Sequence, residues 1–130
     1  QSKVCERSDI VITTAQLFGR PAPLLIDNNT IDKMNSGSVI FDMAVESGGN
    51  VEGSKVDDIV IRNGVKIIGI SNLASRVSNH ASLALSNNYN NWICDFFDQE
   101  NKKLNFDFED EIIQSSVLVY EGEIKNERFK

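Results

Sequence analysis

Histidine and cysteine are nearly missing from this chain of 130 residues, which has one His, His80, and two Cys, Cys5 and Cys94. There is no CxxC pair, and one His with two distant Cys does not make a zinc ligand set. The two cysteines read as free thiols of a reducing compartment, with an isolated disulfide as the other reading. Positive charge is also scarce. Thirteen Lys and Arg face 19 Asp and Glu, a net charge of −6. That excludes nucleic acid as the expected partner, since phosphate binding needs clustered basic side chains. No apolar run approaches the ~20 residues that cross a bilayer, and no charged start leads into an apolar h-region. The chain opens on Gln1 without Met, and its tail, "EIKNERFK", carries no closing signal. An excerpt of a longer protein is therefore expected.

What remains is ordinary for a water-facing globular protein: 41% hydrophobic and 25% charged residues. The length suits one domain and buries roughly two thirds of the unfolded surface. "DIVITT" (9–14) is a β-branched apolar run, the pattern of a buried strand. "FGRPAP" follows, where Gly19, Pro21 and Pro23 force an irregular connection. Residues 30–34 are expected to be helical, with Asn28 or Asn29 as N-cap and Gly37 near the C-terminal end. Residues 38–43 form a second expected strand, 59–61 a short third and 65–70 a fourth, with Asn63-Gly64 as a turn.

From about Ser75 the pattern changes. Val77, Ala81, Ala84, Leu85, Tyr89, Trp92, Ile93 and Phe96 recur at spacings of three and four, an amphipathic helix of about six turns. Leu104, Phe106 and Phe108 then alternate with polar residues, 112–120 reads as a further strand, and Glu121-Gly122 as a turn. The expected architecture is α/β with parallel strands over 1–74, then a long helix and a terminal β pair over 75–130.

Three of the strands run into polar or glycine-rich tails: 13–23 ("TTAQLFGRPAP"), 45–50 ("VESGGN") and 69–76 ("GISNLASR"). In an open parallel sheet, ligands bind beyond the carboxyl ends of the strands, so parallel strands would gather these tails at one rim. The fingerprint G-x-G-x-x-G does not occur. Gly48, Gly49 and Gly53 do not fit it, because Asn50 takes the middle position.

"DIVITTAQLFGRPAP", "MNSGSVIFDMAVESGGN" and "NGVKIIGISNLASR", in this order and spacing, resemble the NAD(H)-binding part of the alpha subunit of proton-translocating NAD(P) transhydrogenase, a family shared with alanine dehydrogenase. The tail "KLNFDFEDEII…EGEI" is also similar, so the resemblance covers most of the chain. The chain departs from the family at Gln16-Leu17-Phe18, where Leu-Ile-Pro is usual, at Ala74, where Pro is usual, and at Ser71, where Thr or a similar residue is usual.

The resemblance implies the second half of a Rossmann-like unit, its glycine-rich pyrophosphate turn lying before Gln1, followed by a segment (75–130) that returns to a companion domain. It implies hydride transfer between NAD(H) and NADP(H), coupled to proton translocation by a separate membrane part. NADP(H) would sit on another domain and the protein would be a homodimer. It further implies a domain without a membrane span of its own, facing the cytoplasm or the mitochondrial matrix and attached to a membrane complex.

Carried over by position, the NAD(H)-contacting residues are Thr14, Ala15, Gln16, Glu46, Gly48, Gly49, Asn50 and Asn72, with no catalytic side chain and no metal. Ala15 and Gln16 would face the ribose and pyrophosphate, and Glu46 the nicotinamide. Bland readings stand beside these. Glu46 is also a solvated strand end, Gly48-Gly49 a flexible turn, and Asn50 a turn cap. Arg20 is plain surface, Arg76 a partner for an acid, His80 a boundary residue, and Trp92, Phe96 and Phe97 are packing. Two further functions remain: an amino-acid dehydrogenase like alanine dehydrogenase, where an Asp at the position of Glu46 takes part in the chemistry, and a non-catalytic regulatory domain.

Overall fold

A computed structural model describes residues 2–129 of the chain, in two compact units that divide between Ser78 and Asn79. In the first unit a short helix α1 (Ser2–Glu6) precedes strand β1 (Ile10–Thr13), helix α2 (Asn28–Ile31) and strand β2 (Val39–Asp42). Strands β3 (Asp58–Arg62) and β4 (Val65–Gly69) and helix α3 (Leu73–Arg76) complete it. The sheet order is β1-β2-β4-β3. β1, β2 and β4 are parallel, in a register that places Ile12 beside Phe41 and Phe41 beside Ile68.

β3 runs the other way. Arg62 pairs with Val65 across Asn63 and Gly64, both at positive φ (49° and 79°). The expected parallel strands are present in β1, β2 and β4, and β3 makes the sheet mixed. A two-residue Asn-Gly turn joins antiparallel neighbours only, because a parallel return needs a crossover of a dozen residues or more. Asp32 clamps the hairpin from α2, accepting from Arg62 Nε (2.7 Å), Arg62 Nη2 (2.8 Å) and Asn63 Nδ2 (2.6 Å).

α2 starts and ends earlier than the sequence pattern suggests. Its N-cap is Asp27, whose carboxylate accepts from Thr30 N at 2.9 Å, and not Asn28 or Asn29. A carboxylate meets the unpaired N–H groups of a first turn at least as well as an amide does, and adds favourable charge. The helix ends at Ile31, and Gly37 (φ 97°) stands in the turn before β2 instead of closing it.

One face of the sheet holds the core. Ile40, Val65 and Ile67 pack with Cys5, Ile26, Ile31, Met34 and Val51, and Val11 and Val60 lie against them. Strand alternation sends the neighbouring residues to the other face. There Ile10, Ile12, Ile59 and Ile61 are 57–67% exposed.

All of helix α4 (Ser78–Phe96) but its first residue lies in the second unit, and Val77, whose backbone (φ −126°, ψ 42°) leaves the helical region, separates it from α3 along the chain. β5 (Phe97–Asp98) pairs with β6 (Lys103–Leu104). Helix α5 (Glu111–Ser116) leads to β7 (Val119–Tyr120), which pairs with β8 (Glu123–Ile124). The strand expected over 112–120 is thus a helix followed by a two-residue strand. Asp110 decides this by accepting from Ile112 N (2.7 Å) and Ile113 N (3.2 Å), and Glu111 puts a second acid in the first turn.

Trp92, Phe96, Phe106, Phe108 and Tyr120 form a chain of tilted rings with centroids 5.0–6.4 Å apart. Trp92 Nε1 donates to Ser116 Oγ at 3.0 Å. These aromatics are packing, as their spacing suggests. Cys5 is buried, Cys94 is exposed, and both are free thiols. Among the described residues no helix is long and apolar enough to cross a membrane.

Candidate functional site

Because β1, β2 and β4 are parallel, their tails leave the same edge of the sheet. Hydrogen bonds then tie the tails together. Asn50, fully buried, accepts from Ala15 N at 2.9 Å and donates to Ala15 O (2.9 Å) and Pro23 O (2.8 Å). Both its amide hydrogens are used within the chain, so the side chain shapes the rim from below and offers no donor to it. The Pro-Ala-Pro segment lies along the β2 tail. Ala22 N donates to Ser47 O (2.7 Å), while Leu25 N and Ile26 N both donate to Asn50 O (2.8 and 3.0 Å). Pro21 and Pro23 carry no N–H and so leave no backbone donor of their own to be satisfied in this segment.

The β4 tail joins on the other side. Glu46 Oε2 accepts from Asn72 N at 2.8 Å. Asn72 sits at φ 48°, ψ 47°, a left-handed conformation that asparagine tolerates better than most residues. One residue back, Asp57 takes both donors of Ser71, N–H at 2.9 Å and Oγ at 2.7 Å. The Ser71 hydroxyl and N–H hold the Asp57 carboxyl below the usual carboxylate range, and the charge of Arg76 adds to this.

The two glycines differ. Gly49 is buried at φ 81°, and a Cβ there would stand 2.8 Å from Asp42 Oδ2. Gly48 is exposed at φ 107°, and the nearest atom to a Cβ, Pro21 Cβ, is 3.8 Å away. Gly49 lacks a side chain for want of room, and Gly48 because of its backbone angle. Gly69, at the end of β4, is crossed so closely by Lys55 O and Val45 Cγ2 that a Cβ could not stand there.

Thr14, Gln16, Glu46, Gly48 and Asn72 are thus exposed on the rim, Ala15 is half-buried in it, and Gly49 and Asn50 lie beneath it. Thr14 and Ala15 also border an open cleft of about 430 Å³ beside β1, with Val4, Cys5, Val11 and Ile26. Its size lies within the range of small-ligand sites. Glu46, Gly48 and Asn72 are outside that cleft. Arg20 is exposed in a tight turn, its N–H bonded to Leu17 O (3.2 Å), and His80 is exposed on α4.

The sequence pattern passes over Asp42. Its carboxylate is fully buried and accepts from Ala44 N (3.0 Å), Asn50 N (3.0 Å), Val51 N (3.3 Å) and, more weakly, Thr13 Oγ1 (3.4 Å). An acid at the last position of an apolar strand is the one hint the sequence offers, and the bonds from Asn50 N and Val51 N that give it its role appear only in the fold.

This geometry accompanies clear relatedness. The family described as "Alanine dehydrogenase/PNT, C-terminal domain" matches residues 1–127. The chain is 40% identical over 125 residues to the first part of the NAD(P) transhydrogenase alpha subunit of Rickettsia prowazekii (strain Madrid E), covering 96% of this chain and 32% of that protein. It is 42% identical over 118 residues to the Rhodospirillum rubrum protein of the same name, covering 91% and 31%. The crystal structure of transhydrogenase from Sinorhizobium meliloti superposes with a TM-score of 0.70 at 33% identity, over 98% of this chain and 35% of that one. The chain spans about a third of the length of these relatives. With its parallel strand tails joined at one rim, it belongs to the alanine dehydrogenase/PNT C-terminal domain family.

Proposed function

We propose that this chain supplies part of the NAD(H) site of a proton-translocating NAD(P) transhydrogenase, in which hydride passes between NAD(H) and NADP(H). The observation that carries this reading is the joining of the β1, β2 and β4 tails into one rim at the carboxyl edge of a parallel sheet, where dinucleotides bind in open α/β folds. The rim fits one portion of a dinucleotide. It presents the exposed backbone of Gly48, the left-handed Asn72 and the Glu46 carboxylate, and it has no glycine-rich pyrophosphate turn. Thr14, Ala15 and Gln16 take the ribose and pyrophosphate side, and Glu46 and Asn72 the nicotinamide side. Asn50 and Gly49 act from beneath, by setting where Ala15 and the Gly48 peptide stand.

NAD(H) supplies the hydride chemistry when bound. The chain's own role is to bind and orient. Glu46 anchors Asn72 N and exchanges no proton with substrate, so no catalytic side chain is assigned. NADP(H) belongs to a separate domain, with a membrane domain and a second copy of this subunit as further partners. Residues 75–130 belong to the companion domain. The soluble face of the membrane complex, towards cytoplasm or mitochondrial matrix, is the expected location.

The test uses the full-length protein with NADH and an oxidised NADP analogue and, separately, NADH with pyruvate and ammonia. Turnover in the first mixture is expected. Turnover only in the second would replace this reading with an amino-acid dehydrogenase, and nucleotide binding without turnover in either would favour a regulatory domain.

A further inference from the structure

Asp42 does more than finish β2. A strand-end Asp that only capped the next turn would need Ala44 N, two residues on. Its other oxygen, Oδ2, reaches Asn50 N and Val51 N, eight and nine residues on. Asn50 in turn holds both backbone groups of Ala15 and the carbonyl of Pro23. One buried carboxylate thereby fixes the β2 tail, and through a single side chain the β1 tail and the Pro-Ala-Pro segment. Its two oxygens each meet donors, which an amide cannot reproduce: one of its two ends would place hydrogens against an N–H. Gly49 has no Cβ where Asp42 Oδ2 approaches, so the backbone there is shaped to this carboxylate.

We propose that Asp42 is a positioning residue for the nucleotide rim, setting through Asn50 the place of Ala15 and of the Gly48-Gly49 peptide. This rests on the NAD(H) reading of the rim given above, and the test separates the two. In the full-length protein, Asp42→Asn is expected to raise KM for NADH at least tenfold, while KM for the NADP analogue changes less than twofold. Ile40→Val on the same strand removes one core methyl and touches no rim group. It is the control for lost stability and should leave KM for NADH within twofold. Should Asp42→Asn fail to fold, Asn50→Ala cuts the same relay beyond the carboxylate and should raise KM for NADH alike.

Amide hydrogen exchange gives a readout that needs no nucleotide. In the wild-type protein, the N–H groups of Ala15, Asn50 and Val51 should exchange as slowly as those of Ile40 and Ile67. In Asp42→Asn the three rim amides should exchange at least tenfold faster, with Ile40 and Ile67 unchanged. Fast rim exchange in the wild type, or a folded Asp42→Asn with unchanged KM for NADH, overturns the proposal. Wild-type protein that fails to bind NADH would end the nucleotide reading, while exchange at the rim still decides whether Asp42 shapes it.

Discussion

At the residue scale, the rim glycines provide a graded test. Both Gly48 and Gly49 hold positive φ, so alanine at either position strains the backbone by about 1 kcal/mol. At Gly49 the new Cβ also meets Asp42 Oδ2. Gly49→Ala is therefore expected to lower stability by roughly 2–4 kcal/mol in urea titration, and Gly48→Ala by about 1. Equal losses would show that collision with Asp42 is relieved by movement. Glu46 carries a kinetic prediction. If it orients without exchanging protons, Glu46→Gln in the full-length protein keeps most of the hydride-transfer rate and its pH profile. A general acid or base would lose about 10²–10⁴-fold. The exposed rim positions are visible in the sequence, because an apolar run that breaks into Glu, Gly and Asn marks where a strand leaves the core. Asp42 is not, since its importance depends on residues 49–51 folding back onto it, a contact that strand periodicity does not encode.

At the element scale, the caps and the hairpin decide what apolar patterning leaves open. Isoleucines at 112 and 113 followed by a valine-rich run read as a strand, and the Asp110 cap makes the segment begin as a helix. Asp110→Ala is expected to cost about 1 kcal/mol in urea titration and to lower helix content by circular dichroism. The loop joining β3 to β4 is legible as a turn in Asn63-Gly64, and its two-residue length is what reverses β3. The β4 tail gives a pH prediction. Asp57, bonded by Ser71, titrates lower in the folded protein than in the unfolded chain. Its contribution to stability is complete above the unfolded carboxyl's pKa of about 3.9 and is lost as pH falls through the lower folded value. Asp32, held by Arg62, follows the same sign. The urea midpoint should fall with acidification below about pH 4, and fall less steeply in Asp57→Asn. A slope unaffected by that substitution would assign the acid sensitivity to other carboxylates.

At the scale of the whole molecule, the open sheet face and the partial rim belong together. Residues 1–130 expressed alone are expected to bind NAD(H) weakly or not at all by calorimetry, because the fixed donors for a pyrophosphate gather at a glycine-rich turn and helix N-terminus that this sequence does not contain. Tight, saturable binding would contradict this. The same polypeptide exposes Ile10, Ile12, Ile59 and Ile61 on one sheet face, so it should self-associate with concentration in sedimentation, and Ile61→Lys should reduce that association. The sequence by itself determined the α/β class, the strands around Ile12, Phe41 and Ile67, the long helix and the polar tails, because hydrophobic periodicity and turn chemistry are local. Only the tertiary structure decided that β3 runs antiparallel, that α5 replaces a strand, and that Asp42 and Asn50 knit the tails into one rim. The rim depends on hydrogen-bond partners distant along the chain, because a buried carboxylate or amide takes whichever donors the folded backbone brings to it, whereas β3 and α5 follow from a two-residue turn and a helix cap that override the apolar pattern.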